Sequence, residues 1–282
     1  MRDLPIVRRV ADLRARTHDQ RLGRKSIGLV PTMGALHDGH IALVRRAKAE
    51  NDFVIATIFV NPMQFGANED LKAYPRDESG DAAKLAEAGC NLLFAPDVAE
   101  MYPAGFATSV AVAGLTDHLC GVSRPHHFGG VATVVTKLLL QAGSTRAYFG
   151  EKDFQQLQVI KRLARDLDIP VAIIGVPTIR EADGLALSSR NRYLAVEDRA
   201  TAAALPRILR ETAAELAVGG AAAPILDAAK QRLAQAGITR LDYLELCGEE
   251  NLQPLRAAIP GCRLFVAAFV GKTRLIDNWP VL

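Results

Sequence analysis

Two histidines stand three residues apart where an apolar run meets a helical one. Residues 31–40 read Pro-Thr-Met-Gly-Ala-Leu-His-Asp-Gly-His, after Ile27-Gly28-Leu29-Val30 and before a helical stretch at 41–50. At a helix start, the spacing of His37 and His40 brings both imidazoles to one side, where they can donate to phosphate oxygens whose charge grows during displacement at phosphorus. Gly34 and Gly39 carry no side chain and let the backbone approach a bulky ligand, and a helix N-terminus offers free N–H groups to an anion. A His-x-x-His pair by itself is more often structural. Here it sits at the carboxyl end of an expected first strand, where open parallel sheets bind their ligands, and this points to a nucleotide.

Other polar groups gather at comparable positions. The next strand is followed by Asn61-Pro62-Met63-Gln64-Phe65-Gly66, then Asn68-Glu69-Asp70 and Tyr74-Pro75-Arg76. Such amides also serve turns, but Gln64 among Pro62, Met63 and Phe65 has the character of a polar group in an apolar ligand wall. A third segment, Gly150-Glu151-Lys152-Asp153-Phe154-Gln155-Gln156-Leu157, puts Lys152, Asp153 and Gln156 on one face if a helix begins near Asp153. Lys152 suits phosphate and the Gln156 amide suits a carboxylate or hydroxyl; an acidic N-cap accounts for Asp153 alone. Leu187-Ser188-Ser189-Arg190-Asn191 offers two hydroxyls and a guanidinium to an oxyanion, although serines before a helix also make a simple turn. In Arg124-Pro125-His126-His127-Phe128-Gly129-Gly130, cations precede a helix start, and structural and ligand roles fit equally well. Gly271-Lys272-Thr273 is similar to the end of a phosphate-binding P-loop, but position 266 is Val where that motif needs Gly, so it is read as a decoy.

The elements that must position these groups follow from periodicity. Short apolar runs at 27–30, 53–60, 91–94, 147–149 and 171–175 alternate with helical patterns at 37–50, 78–88, 129–141 and 153–167. That alternation predicts an α/β fold, a mostly parallel sheet with helices on both faces. After Pro177 come a polar loop at 180–191, alanine-rich helical stretches at 197–217 and 224–236, and β-prone runs at 241–247, 263–270 and 273–276, which predict a smaller α+β domain. The boundary falls near 178, giving domains 1–178 and 179–282. Pro206, inside a helical window, predicts a kink or a restart.

A length of 282 residues with 49% hydrophobic content suits two domains with sizeable cores. The net charge of +3, from scattered basic residues, gives no case for a nucleic-acid or membrane surface. Cys90, Cys120, Cys247 and Cys262 are too far apart for a C-x-x-C motif and are expected as buried thiols. The first five residues lack a secretory pattern and no apolar run approaches a membrane span, so a cytoplasmic location is expected.

Taken together, segments 31–40, 59–66, 124–130, 150–156 and 185–191 resemble the pantothenate synthetase (pantoate:β-alanine ligase) family along the whole chain. The first is similar to the HIGH element of the nucleotidyltransferase superfamily, and Ser188-Ser189-Arg190-Asn191 to its KMSKS-like element. The resemblance implies a Rossmann-like, doubly wound first domain and a C-terminal lid that closes over ATP about a hinge near Pro177. It implies condensation of pantoate with β-alanine to pantothenate through pantoyl adenylate, with release of pyrophosphate and AMP. ATP and Mg²⁺ are the implied cofactors, with Mg²⁺ carried by the nucleotide, and a homodimer is expected. By the same resemblance Met33, Gly34, Ala35, Leu36, His37, Asp38, Gly39, His40, Gly150, Glu151, Lys152, Asp153, Ile179, Leu187, Ser188, Ser189 and Arg190 bind ATP. Gln64 and Gln156 hold pantoate, with Asn61, Tyr74, Arg124 and His127 beside them.

A carboxylate attacking the α-phosphorus needs alignment and charge neutralisation rather than a general base, so the catalytic set is electrostatic: His37, His40, Lys152, Ser188, Ser189 and Arg190. Neutral amides at 64 and 156 can hold pantoate without quenching its carboxylate as a close guanidinium would. Leu187 departs from the family, which often has Met there, but the volumes are close. Two other readings stand beside this one. Another nucleotidyltransferase of the superfamily, acting on a phosphorylated acceptor, would want cations where Gln64 and Gln156 stand. A non-catalytic nucleotide- or RNA-binding regulator would keep the fold, but clustered aromatics for stacking RNA are absent from the sequence.

Overall fold

The computed structural model describes residues 4–66, 71 and 73–282; Asn68, Glu69 and Asp70 lie outside the described residues. Among the described residues, six parallel strands form one sheet: β1 (Ile6–Val7), β2 (Ile27–Thr32), β3 (Phe53–Ile58), β4 (Leu92–Phe94), β5 (Arg146–Gly150) and β6 (Ala172–Val176), in the order β1-β4-β3-β2-β5-β6. The helices are α1 (Val10–Leu22), α2 (Asp38–Glu50), α3 (Glu78–Glu87), α4 (Val98–Met101), α5 (Cys120–Ser123), α6 (His127–Ala142) and α7 (Phe154–Asp166). From β2 the chain winds outward through β3 to β4, then crosses back to β5 and β6 on the other side. With right-handed crossovers, that reversal places helices on both faces, so the expected doubly wound sheet is found. The central strands are buried almost throughout, as a two-faced parallel sheet requires.

The reversal of strand order has a local consequence. β2 pairs with β3 from Ile27 to Thr32, but with β5 only at Gly28 and Leu29. Beyond Leu29 the two strands are no longer laddered, and their carboxyl ends lead to residues 33–37 and to Glu151. This is the position at which an open parallel sheet presents a crevice. A polar clamp holds the opposite end. Asn51 Nδ2 donates to the Tyr148 hydroxyl at 2.7 Å, and that hydroxyl donates to Glu50 Oε2 at 2.8 Å. Burial and the Glu50 acceptor push the Tyr148 phenol up to about 12. A side chain at Gly28 would come within 2.7 Å of the Asn51 amide, so the clamp needs glycine there.

The chain groups into two compact units, one comprising Met1–Ala113, Arg124–Glu151 and Val159–Pro177, the other Gly114–Ser123, Lys152–Gln158 and Thr178–Leu282. The passage at Pro177 lies beside the expected boundary. Segments 114–123 and 152–158, by contrast, group with the second unit although periodicity assigned them to the first. The reason is polar and long-range. Gln155 Nε2 donates to the carbonyls of Leu115 (2.9 Å) and His118 (2.8 Å), its Oε1 accepts from Cys120 N (3.0 Å), and Asn278 Nδ2 donates to the Lys152 carbonyl (2.9 Å).

The rest of the second unit contains α8 (Val196–Val218), α9 (Ala222–Gln235) and an antiparallel sheet of β7 (Arg240–Gly248), β8 (Cys262–Val270) and β9 (Thr273–Pro280). Leu205, Leu209 and Leu216 of α8 share a core with Leu233 of α9 and Leu244, Leu264 and Val266 of the sheet. The restart expected at Pro206 does not occur. α8 runs through it with Pro206 buried, and tertiary packing outweighs the lost ladder donor. Gly271 and Lys272 form the tight turn between β8 and β9, so the P-loop-like tripeptide is a hairpin turn. All four cysteines are free and buried, and burial pushes Cys90 up to about 11 and Cys247 to about 12. No helix among the described residues is long and apolar enough to cross a membrane. β1 and α1 escaped periodicity because β1 is two residues long and α1 buries only Leu13 and Thr17.

The 180–191 loop is tied down by charge. Arg199 of α8 binds Glu181 and Asp183, each at 2.7 Å, and Asn191 Nδ2 donates to Glu181 Oε1 at 2.7 Å. The Arg199 hydrogen bond holds the Asp183 carboxyl below its ordinary value. A lowered folded value contributes stability above the unfolded pKa, about 3.9 for Asp, and that stability is lost as pH falls through the folded value. Asp183→Asn is therefore expected to melt below the parent at neutral pH, with the gap closing as pH falls below about 4. Thermal unfolding from pH 7 to about 2.5 checks this, and a gap constant across the range would contradict it.

Candidate functional site

The turn from β2 to α2 builds the first group of side chains. Gly34 (φ +82°) and Ala35 (φ +52°) both adopt the left-handed conformation, which swings the chain off the strand. The stretch is held from α3: Asp81 Oδ1 accepts from Leu36 N at 2.9 Å, and Lys84 Nζ donates to Leu36 O at 2.9 Å. His37 is then the N-cap of α2 rather than its first helical residue. Its Nδ1 accepts from Gly39 N at 3.2 Å, and His40 Nδ1 accepts from His37 N at 3.4 Å, a reciprocal capping box made of two imidazoles with ring centroids 4.1 Å apart. A ring nitrogen that accepts carries no proton, so the proton each ring has to donate is the one on Nε2. The capping role and the donor role therefore use different nitrogens of the same ring.

Gln64 forms the second group and is more constrained than its sequence context suggested. It is 8% exposed, in a one-turn 3-10 helix, Pro62–Gln64. Its Nε2 donates to Met33 Sδ at 3.0 Å and its Oε1 accepts from Asn61 Nδ2 at 3.1 Å. The Gln64 carbonyl accepts from Arg124 at 3.5 Å and lies 3.0 Å from His127 Nδ1. Gly130 of α6 comes so close that a Cβ there would lie 2.3 Å from the Met63 carbonyl oxygen.

Four residues expected beside pantoate have partners within the protein. Asn61 is 0% exposed, and its amide is taken up by Gln64, Gly130, Met63 and the Tyr102 hydroxyl, so it stands behind Gln64. Arg124 and His127 act on the Gln64 main chain, and Tyr74 is buried edge-on to Phe65. Met33, expected on the nucleotide, meets Gln64 through its sulfur.

Residues Glu151–Asp153, where the chain passes from the first unit to the second, form a 3-10 turn and α7 begins only at Phe154. The expected helical face of Lys152, Asp153 and Gln156 is therefore interrupted, because a 3-10 turn has about three residues per turn rather than roughly 3.6. Lys152 Nζ lies 3.9 Å from Asp153 Oδ2. Gln156 is half-buried in the first turn of α7, while its neighbour Gln155 is the buried tether described above. Ser188 caps the 3-10 helix Ser189–Tyr193 by accepting from Arg190 N at 3.2 Å, so the turn role and a free-standing hydroxyl donor coexist in one residue. Leu187 N donates to Ile179 O at 2.9 Å, which brings together two residues expected to bind ATP.

Residues that sequence reasoning missed lie beneath these loops. Asp277 and Asn278 of β9 are buried, and Asp277 takes Arg180 through two hydrogen bonds of 2.7 and 3.0 Å. Asp81 is 1% exposed on α3. The only sequence signal for them was a charged or amide residue at an inward position of an amphipathic element.

The first unit offers paired imidazoles at a helix start and an oriented amide, groups suited to an anionic nucleotide and a polar carboxylate, and the second carries a lysine and an arginine on its own loops. Comparison with known proteins agrees. The model of a family described as pantoate-beta-alanine ligase matches residues 5–280. A pantothenate synthetase of Chelativorans sp. (strain BNC1) is 56% identical over 99% of this chain and 98% of its own, and one of Caulobacter vibrioides 52% identical over 98% of each. The crystal structure of pantothenate synthetase from Thermus thermophilus superposes with a TM-score of 0.93 at 52% identity, covering 99% of both chains. A pantoate-beta-alanine ligase from Francisella tularensis, solved with β-γ ATP and β-alanine, gives 0.82 at 36% identity, covering 98% of this chain and 97% of its own. Matched from end to end by that model and by relatives above half identity, the chain belongs to the pantoate–β-alanine ligase family.

Proposed function

We propose that this chain joins pantoate to β-alanine at the expense of ATP, and that the residues described above carry the reaction in two steps. The observation that carries the assignment of roles is the two-imidazole cap at the carboxyl end of β2. In the first step the pantoate carboxylate attacks the α-phosphorus, the bond to the bridging oxygen breaks, and pyrophosphate leaves. Negative charge moves onto the phosphate oxygens. His37 and His40 meet it through their Nε2–H groups, with Lys152, Ser188, Ser189 and Arg190 as further donors. The start of α2 adds the positive end of the helix dipole.

Gln64, with Gln156, holds pantoate. Its amide orientation is set by Met33 and Asn61, so one donor and one acceptor have defined directions before substrate arrives, and little ordering remains to be done on binding. In the second step the β-alanine amine attacks the acyl carbon of pantoyl adenylate and AMP departs. Among the described residues no group of three or more His, Cys, Asp or Glu side chains stands together as a metal cage. Mg²⁺, carried in by ATP, would neutralise charge on the phosphates. The expected homodimer belongs to the same proposal.

The test is exchange of labelled pyrophosphate into ATP with Mg²⁺ and pantoate but without β-alanine, beside a panel of other carboxylates. Exchange that requires pantoate is the expected result, and exchange with none of the acids from folded protein would overturn the reading. His37→Ala is expected to lower kcat by about a hundred- to a thousandfold, the cost of one charge-stabilising donor. Its melting temperature should fall by only a few degrees, because a lost cap typically costs about 1 kcal/mol. Turnover retained by the folded variant would refute the role of His37. Gln64→Glu sets a negative charge against the pantoate carboxylate and is expected to raise the KM for pantoate roughly tenfold or more while sparing that for ATP. Steady-state kinetics in both substrates checks it, and an unchanged pantoate KM would count against the Gln64 assignment.

A further inference from the structure

Asn278 reaches a residue 126 positions away in sequence: its Nδ2 donates to the Lys152 carbonyl at 2.9 Å. Its Oδ1 accepts from Arg263 Nη1 at 2.7 Å. Arg263, only 8% exposed, is held by Glu249 at 2.8 Å and lies 3.9 Å over the Phe154 ring. Phe154 itself opens α7, directly after the 3-10 turn that contains Lys152. The Lys152 turn is thus gripped at its carbonyl by Asn278 and at its C-terminal neighbour by Arg263, and Asn278 joins the two grips. The adjacent Asp277 accepts from Asn278 N at 2.8 Å and takes Arg180 at the entrance to the 180–191 loop.

We propose that Asn278 is a positioning residue for Lys152, fixing the backbone from which the ammonium extends to the phosphates; this rests on the reading of Lys152 as a phosphate contact. The chemistry of the amide is what the place requires. One face must donate to a carbonyl and the other accept from a guanidinium, and asparagine does both at one position. A carboxylate there would keep Arg263 and face the Lys152 carbonyl with no donor. Lysine has a flexible four-carbon stem, so the position of its charge depends on how firmly its backbone is held, and a misplacement of about 1 Å can cost about a hundredfold in rate.

The experiment compares the parent, Asn278→Asp, Lys152→Ala and the double variant in pantoate-dependent pyrophosphate exchange, with thermal melting of each. Asn278→Asp is expected to lower kcat per folded molecule roughly ten- to a hundredfold, with a melting temperature lowered by several degrees for the lost donor and the pantoate KM changed by less than about twofold. The double variant should be little worse than Lys152→Ala, because a residue acting through Lys152 has nothing left to position. Parent-like kcat in Asn278→Asp, or a loss that multiplies in full onto Lys152→Ala, overturns the proposal while leaving Lys152 in place. Parent-like kcat in Lys152→Ala overturns the reading of Lys152 and the proposal with it. Asn278→Ser, which shortens the reach without adding charge, is the second variant. If both Asn278 variants melt well below the parent and keep parent kcat per folded molecule, the residue is structural and the proposal fails.

Discussion

The carboxylate of Asp81 carries the turn on which the first unit's chemistry stands. It is 1% exposed, it accepts the Leu36 amide, and Lys84, 3.7 Å away, donates to the Leu36 carbonyl. Two left-handed residues have just taken the chain off β2, so neither polar group of Leu36 has a strand or helix partner. A buried main-chain group without a partner costs about 1 to 3 kcal/mol, and a buried carboxylate without one costs more. Each deficit answers the other here. With Leu36 fixed, His37 falls at the N-cap and His40 one turn on, and the two rings complete a capping box that sets which nitrogen of each carries a proton.

The second unit applies the same device. Gln155 and Asn278 are buried amides that reach main-chain groups of loops across long separations in sequence, and the buried Asp277 takes the Arg180 guanidinium. A side-chain amide is suited to this because it offers donors and an acceptor in fixed directions, so it specifies one arrangement of the loop where apolar packing would tolerate several. The cost is desolvation, and the near-complete pairing of these groups keeps that cost low. Gln64 follows the rule from the other side: its supports hold the main chain and the amide plane and leave the residue with one defined orientation.

Much of this was legible in the chain. The parallel sheet, its alternation with helices and a smaller α+β domain followed from periodicity, with most element ends placed within a residue or so of where they lie. His37, His40, Gln64, Lys152 and the run at 188–190 were all singled out from residue type and from their place after strands. The Ser188 cap was visible as an alternative to a ligand role, and it leaves the hydroxyl proton free to donate. What the sequence did not show has a common cause. The partners of Asn61 and the role of Asp81 were not legible, because whether a polar side chain in a turn faces a ligand or a neighbouring carbonyl depends on what packs against it. Pro206 was read as a kink or a restart, and the restart is absent because the leucine core holds α8 together.

By itself, then, the sequence determined which strands form, where their loops lie and which residue types those loops carry, since strand and helix periodicities are local and the chemistry of a side chain does not depend on the fold. The tertiary structure alone decided that β2 and β5 part after Leu29, that the imidazoles cap their own helix, that segments 114–123 and 152–158 group with the C-terminal unit, and that Asn278 meets Lys152. Each of these joins groups distant in sequence or depends on the direction of a side chain, and only closure of the core brings such groups within hydrogen-bonding range.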